Sequence, residues 1–327
     1  MPNKGHVTLD WQHSRGESRS SAATLPEGTP LLLLLSGIAG GSGDPYVQHL
    51  VADATDAGFK VVCMNARGCA NSPVTSPQFY SASWTQDVRH VVQTLRSRYP
   101  AAPFFACGWS LGANILVNYL GEEGLAAQKQ QSAPQLLDGA VSLCNPFDLV
   151  TCDAALEATA LGRVYSRSMG TSLRRVFAPH EALFRGLDHI DVAGTSAAQT
   201  VRQFDEAMTR RTFGFPSVDA YYQSSGSKDR LPHVAIPLLC VQAADDPIAV
   251  DEAIPRAAAA ANPHVALVVT PSGGHLGWQA ANGSPFGSPW PYDGVLQWLT
   301  ALTQEVVQAR ASEAKGGASL RQRQMQL

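Results

Sequence analysis

The sequence predicts an α/β protein with a mostly parallel central sheet. Apolar runs of strand length, rich in Val, Leu and Phe, alternate with segments of helical period, as strands joined by crossover helices do. The pattern lapses over residues 147–230, where Arg and Phe are scattered among helical stretches and no strand run is evident. A helical cap inserted between two parts of one core is expected there. The predicted organisation is thus a first core segment at 1–146, the cap at 147–230, a second core segment at 231–311 and a polar, frayed tail at 312–327.

His6–Trp11 alternates and reads as an outer strand, and the Ser-, Gly- and Pro-rich stretch Ser14–Pro30 as a loop. Buried strands are expected at Leu31–Leu35, Lys60–Met64, Phe104–Cys107, Gly139–Leu143, Leu238–Ala243 and Ala266–Val269. Trp84, Val88, Val91, Val92 and Leu95 recur at helical spacing before Pro100, which predicts a crossover helix with one buried face. Further helices are expected at Thr171–Arg185, Glu252–Ala261 and Val295–Ala311.

At 327 residues, 45% apolar and 16% charged, the chain has ample material for a buried core. Lys plus Arg number 24 against 27 Asp plus Glu, and a net charge of −3 offers no general attraction for a phosphate backbone, so nucleic acid is not expected as a partner. The longest aliphatic run, Leu31–Leu35, falls far short of the ~20 residues of a membrane-spanning helix. With no apolar segment at the N-terminus, a cytoplasmic location is the default expectation. The six cysteines form no C-x-x-C pair, and three sit in strand-like runs, so buried free thiols are expected.

The chemistry-bearing motif is Gly108-Trp109-Ser110-Leu111-Gly112, between the Phe104–Cys107 strand and a good helix from Ala113 to Leu120. A G-x-S-x-G at a strand-to-helix turn is a nucleophile elbow, in which small residues let strand and helix backbones meet around a strained serine. By composition alone the pattern arises in about one chain of ten at this length, and the flanking elements make it specific. The alternative is that Ser110 only caps the helix.

A serine hydroxyl needs an imidazole base and an acid that holds the imidazole's tautomer. With this elbow the partners follow in the order serine, acid, histidine. After the Leu238–Ala243 strand come Asp245 and Asp246, and after the next strand Gly273-Gly274-His275-Leu276-Gly277. His275, flanked by glycines at a strand end, is the expected base. Only one of the adjacent carboxylates can face it; Asp246, directly before Pro247, is favoured, with Asp245 as the alternative acid and a loop or capping role for the other.

The developing oxyanion requires two backbone N–H groups. The candidates are Leu111, at the helix start, and Ile38, in the Gly-rich loop Ser36–Gly43 that could otherwise be a flexible turn. Neither G-x-G-x-x-G nor the Walker pattern is present, which disfavours a nucleotide cofactor. His180-Glu181 begins like a zinc motif but puts Phe184 at the second ligand, so no metal is expected and His180 reads as surface or cap.

Beyond these motifs, the chain resembles the membrane-associated α/β-hydrolase group that includes mammalian α/β-hydrolase domain-containing proteins one and three, plant embryogenesis-associated protein eight and yeast ethyl ester synthases. The likeness is carried by His6–Trp11, Asn65-Ala66-Arg67-Gly68, Gln203-Phe204-Asp205, Phe213-Gly214-Phe215, Asp219-Ala220-Tyr221-Tyr222 and Gly273–Gly277, in order along most of the chain. The resemblance implies the α/β-hydrolase fold, with Ser110 as nucleophile, Asp246 as acid and His275 as base. It also implies a serine hydrolase of carboxylic esters, on lipids such as acylglycerols or phospholipids in some members, with acyl transfer to alcohols in others. Animal members carry a membrane anchor ahead of the Leu9-Asp10-Trp11 strand, where this chain has only a few residues; peripheral membrane association is compatible with the resemblance. The rival expectation is a silent fold of this kind serving as a receptor or scaffold. Arg67-Gly68 and Phe204-Asp205 suggest an Arg–carboxylate tie between core and cap.

Overall fold

The computed structural model describes residues 2–12, 26, 28–129, 135–279 and 287–324, with side chains up to residue 312. Most of the expected loop at Ser14–Pro30 lies outside the described residues. Seven described strands form one sheet: β1 (Thr8–Trp11), β2 (Leu31–Leu35), β3 (Lys60–Asn65), β4 (Phe104–Trp109), β5 (Gly139–Leu143), β6 (Leu238–Ala243) and β7 (Val265–Thr270). Their spatial order is β1-β3-β2-β4-β5-β6-β7, all parallel except β1, which pairs antiparallel with β3. Strands covered on both faces read as continuous apolar runs, and β2, β4 and β5 are buried at every position. The edge strands β1 and β7 are only partly covered, which is why their sequences alternate or stand half exposed.

The helices α1 (Pro45–Asp56), α2 (Gln86–Arg98) and α3 (Leu111–Gln128) link the first half of the sheet. Val88, Val91, Val92 and Leu95 face the core from α2, whereas Trp84 precedes the helix. Between β5 and β6 every regular element is helical: α4 (Leu149–Ala158), α5 (Ala160–Phe177), α6 (Val192–Ala197), α7 (Val201–Phe204), α8 (Arg210–Thr212) and α9 (Val218–Ser225). They have a core of their own, in which Phe177, Phe184, Ile190, Phe204 and Met208 pack with Val74 and Phe79. The two sheet faces carry separate apolar clusters, one around Leu33, Phe104 and Leu116 and the other around Leu34, Phe105 and Trp109.

Proline accounts for two boundaries that differ from expectation. The helix expected over Thr171–Arg185 is α5 ending at Phe177, followed by a 3-10 turn over Ala178–Leu183 that contains Pro179. The helix expected over Glu252–Ala261 is split at Pro255 into a 3-10 turn at Asp251–Ala253 and α10 (Arg256–Ala261), because the residue before a proline avoids the helical region. The last helix, α11 (Pro291–Gln324), runs through the segment expected to fray, which is rich in the helix formers Ala, Gln and Arg. All six cysteines are buried free thiols, as the sequence implies. No helix among the described residues is long and apolar enough to cross a membrane.

The expected tie between Arg67 and Asp205 is corrected by the structure. Arg67 makes a bidentate pair with Asp87 of α2, Nε and Nη2 each 2.7 Å from a carboxylate oxygen, with side chains 1% and 5% exposed. Asp205 instead accepts from Tyr222 Oη at 2.9 Å. The arginine therefore binds core to core: Asp87, one helical turn before Val91, is the carboxylate that two adjacent elements bring to the guanidinium.

Candidate active site

Ser110 sits between β4 and α3 with φ +50° and ψ −120°, a conformation an L-residue adopts only when its surroundings impose it. The flanking glycines show how. A Cβ on Gly112 would lie 2.4 Å from the carbonyl oxygens of Leu35 and Ser36, and one on Gly108 2.7 Å from the carbonyl oxygen of Gly112. Helix α3 can thus start against the end of β2 only because both positions lack a side chain. The turn is held by Ser110 N–H donating to Leu143 O at 2.9 Å and by Asn114 N–H donating to Ser110 O at 3.0 Å.

The two later loops bring their side chains to this turn. Ser110 Oγ is 2.8 Å from His275 Nε2, and His275 Nδ1 is 2.9 Å from Asp246 Oδ2 and 3.2 Å from Asp246 Oδ1. An ionised carboxylate can only accept, so the ring proton lies on Nδ1 and Nε2 is left as the acceptor facing the serine hydroxyl. Asp246 is fixed from behind, since its Oδ1 accepts from the N–H groups of Ile248 and Ala249 at 2.8 and 2.9 Å. Its side chain is fully buried. Asp245 turns the other way: its Oδ1 accepts from Gly273 N–H and Gly274 N–H at 2.9 and 2.8 Å, and so anchors the loop that carries His275 rather than the ring. Gly274 has φ +56°, which that tight loop requires.

Ile38 and Leu111 both line the cavity beside Ser110. The N–H groups on either side of Ile38 are occupied, Gly37 donating to Tyr46 Oη at 3.0 Å and Ala39 to Tyr80 Oη at 2.8 Å. Burial pushes both phenols up, so they remain neutral and able to accept. Downstream, Gly41 N–H donates to Asp44 Oδ2 and Ser42 N–H to Asn65 Oδ1, at 3.0 and 2.9 Å. The Gly-rich loop is therefore pinned on both sides of Ile38, whose own N–H has no partner among the described residues. Leu111, as the first residue of α3, has no preceding helical turn to take its N–H.

The cavity over Ser110 is walled mainly by apolar side chains, among them Phe79, Leu149, Leu156, Met169, Leu173 and Phe204. Most come from the helices between β5 and β6. His180 lies half-buried in the Ala178–Leu183 turn, its ring 6.1 Å edge-on from Phe79, and does not line this cavity.

Several residues here are absent from the sequence reading. Asn114 and Asn118 of α3 each donate through Nδ2 to both Ala82 O and Ser225 O, at 2.9 to 3.1 Å, and Asn114 Oδ1 accepts from Ser227 N–H at 2.9 Å. They clamp the segment after Tyr80 to the end of α9. Their signal is two asparagines four residues apart in an otherwise apolar helix, where buried amides must find partners. Tyr46 and Tyr80 carry no such signal, because each is a lone tyrosine whose hydroxyl meets a backbone N–H, nine and 41 residues away.

A family model described as alpha/beta hydrolase fold matches residues 30–277. The chain belongs to the α/β-hydrolase fold family. It is 43% identical over 310 residues to the embryogenesis-associated protein EMB8 of Picea glauca, covering 94% of this chain and 66% of that protein. It is 37% identical over 254 residues to a monoacylglycerol lipase of Saccharomyces cerevisiae, covering 76% of this chain and 55% of that protein. The chain thus spans between about half and two thirds of the length of these curated relatives. Among solved structures, esterase Est1E from Butyrivibrio proteoclasticus, solved with ferulic acid bound, aligns with a TM-score of 0.52 at 13% identity over 93% of this chain and 97% of that one, a likeness of fold. The likeness to an embryogenesis-associated protein agrees with the resemblance read from the motifs.

Proposed function

We propose that this α/β-hydrolase is a serine hydrolase of carboxylic esters, with lipid esters as its substrates and Ser110, His275 and Asp246 as its catalytic residues. The observation that carries the reading is the unbroken series Asp246 Oδ2, His275 Nδ1 at 2.9 Å, His275 Nε2, Ser110 Oγ at 2.8 Å, at the wall of an apolar cavity. The likeness to a monoacylglycerol lipase supports the substrate class. The helices between β5 and β6, which supply much of the cavity wall, act as its cap and set acyl-chain preference.

In this reading His275 Nε2 takes the hydroxyl proton as Ser110 Oγ bonds to the ester carbonyl carbon, and the electron pair moves to the carbonyl oxygen. Ile38 and Leu111 N–H groups receive that oxyanion, each worth about 3 kcal/mol of transition-state stabilisation by the usual effect of deleting such a donor. The imidazolium, held by Asp246, then protonates the leaving alcohol as the C–O bond breaks. Water, deprotonated by the same nitrogen, attacks the acyl-enzyme and releases the acid and free Ser110. An alcohol in place of that water would give ester synthesis at the same site, and the ratio of transfer to hydrolysis in an alcohol titration separates the two.

The test is labelling with a fluorophosphonate probe, comparing wild type with Ser110→Ala and locating the modified peptide by mass spectrometry. Stoichiometric labelling at Ser110, lost in the variant, is expected, followed by turnover of long-chain esters in a panel of monoacylglycerols and phospholipids. A folded wild type that takes no label, yet binds an ester, would replace this reading by that of a receptor.

A further inference from the structure

The cavity contains one costly group that the acyl-enzyme chemistry does not use. Asp205 is 7% exposed and lines the same cavity as Ser110 and Ile38. Its Oδ2 accepts from Tyr222 Oη at 2.9 Å, and the Thr209 hydroxyl is a second donor. Among the described residues no Lys or Arg pairs with it, because Arg202 gives its two nitrogens to Asp153 and Asp219. Burial pushes the carboxyl up to about 6.

A cavity needed only for hydrocarbon gains nothing from a desolvated carboxylate without a counter-charge. An ionised carboxylate has about four lone-pair sites, so the two internal donors leave acceptor capacity unused. Asp205 also opens a single π-helical turn, Asp205–Thr209, a local insertion that re-aims side chains and is frequent at functional sites. Phe204, the residue before Asp205, belongs to the apolar cluster against which Ile38, Ala39 and Tyr80 pack, and the Tyr80 phenol holds the Ala39 N–H beside Ile38, so the Ser36–Gly43 loop adjoins this part of the cavity. A saturated acyl chain carries no hydrogen-bond donor, so the part of a lipid ester that can satisfy the spare acceptor sites of this carboxylate is its alcohol portion.

We infer that Asp205 is a specificity-determining residue that accepts a hydrogen bond from a hydroxyl on the alcohol portion of the substrate, selecting partial esters of polyols over esters of simple alcohols. This rests on the lipid-ester reading of the same cavity and deepens it. A hydroxyl suits the site better than a cation, because it donates to the carboxylate and accepts from the acid form, whereas a cation needs the charged form alone.

The test reads binding without turnover, by isothermal titration calorimetry with two unhydrolysable ethers of one chain length, 1-O-octylglycerol and octyl ethyl ether. Wild type should bind the diol more tightly. The ratio of the two Kd values should fall severalfold in Asp205→Asn, whose amide oxygen keeps the Tyr222 bond, and about tenfold in Asp205→Leu combined with Tyr222→Phe, which leaves no orphan phenol. A wild-type ratio near one, or a ratio unchanged in both variants, overturns the inference. So does an Asp205-dependent preference for octyl 2-aminoethyl ether over the diol, which would assign the carboxylate to a cation. Since no covalent step is involved, failure here is separate from failure of Ser110 to take the fluorophosphonate.

Discussion

Replacing Asp246 by Asn tests the hydrogen-bond direction through the site, and the structure fixes what the amide must do. Asp246 Oδ1 is committed to two backbone donors, Ile248 N–H and Ala249 N–H, at 2.8 and 2.9 Å. The amide oxygen of Asn must take that position, which turns the NH2 group toward His275 Nδ1. A donor there forces the imidazole proton onto Nε2, which then points a donor at Ser110 Oγ and cannot receive its proton. A wrong tautomer in intact geometry lowers kcat by about 10⁴, or ~5 kcal/mol of transition-state stabilisation. Asp245→Asn differs in kind, since its amide oxygen can still accept from Gly273 and Gly274 and only the charge is lost; a drop of about tenfold or less is expected. The assay is steady-state hydrolysis of a medium-chain ester, with melting temperature as the control for folding. An Asp246→Asn enzyme within tenfold of wild type, or one more active than Asp245→Asn, would refute the assignment.

Two stability predictions follow from buried charges. Because burial raises Asp205 from 3.8 to about 6, the folded protein carries a cost that is absent below about pH 4, where the group is protonated folded and unfolded, and complete above pH 6. Asp205→Asn should therefore be about 3 kcal/mol more stable than wild type at pH 8 and close to it at pH 4, by urea titration; a variant less stable at pH 8 would contradict this. Removing one member of the Arg67–Asp87 pair, as in Asp87→Asn, strands a charge whose side chain is 1% exposed and should cost about 3–5 kcal/mol, whereas Arg67→Met with Asp87→Leu should recover most of it. Equal loss in single and double variants would show that packing rather than charge dominates.

What the sequence made legible follows from the range over which each signal acts. Leu31–Leu35 declares a buried strand by itself, and the Gly108–Gly112 turn declares the elbow because its two glycines lie within five residues and one constrains the other: a Cβ at Gly108 would strike the carbonyl oxygen of Gly112. Ser110, Asp246 and His275 were placed by their positions after the parallel strands β4, β6 and β7, since the carboxyl ends of such strands share one edge of the sheet. Which of two adjacent carboxylates would face the ring was less legible, because it depends on which one the Ile248 and Ala249 N–H groups capture. Arg67 was matched to a distant carboxylate, Asp205, when its partner was Asp87, only twenty residues away and on a helix face otherwise read as apolar.

The same distinction separates Ser110 and His275 from the frame that holds them. Ser110 and His275 lie in short Gly-rich motifs, yet the N–H beside them that would receive an oxyanion depends on Tyr46, Tyr80 and Asn65, which secure the Ser36–Gly43 loop from α1, the segment before α2, and β3. Neither tyrosine belongs to a local pattern, Asn65 stands in a motif whose sequence does not show what it holds, and each supplies a contact that a loop of four glycines cannot make for itself. The frame also reaches the turn that carries Ser110: Trp109 Nε1 donates to Tyr292 Oη at 3.1 Å, and Tyr292 Oη donates to Tyr46 O at 3.0 Å. The Ser36–Gly43 loop and the residue before Ser110 are thus linked through Tyr46 and one tyrosine of α11. A register error between them would have to break buried hydrogen bonds, and this is how a mobile composition is made to present its N–H at a fixed place.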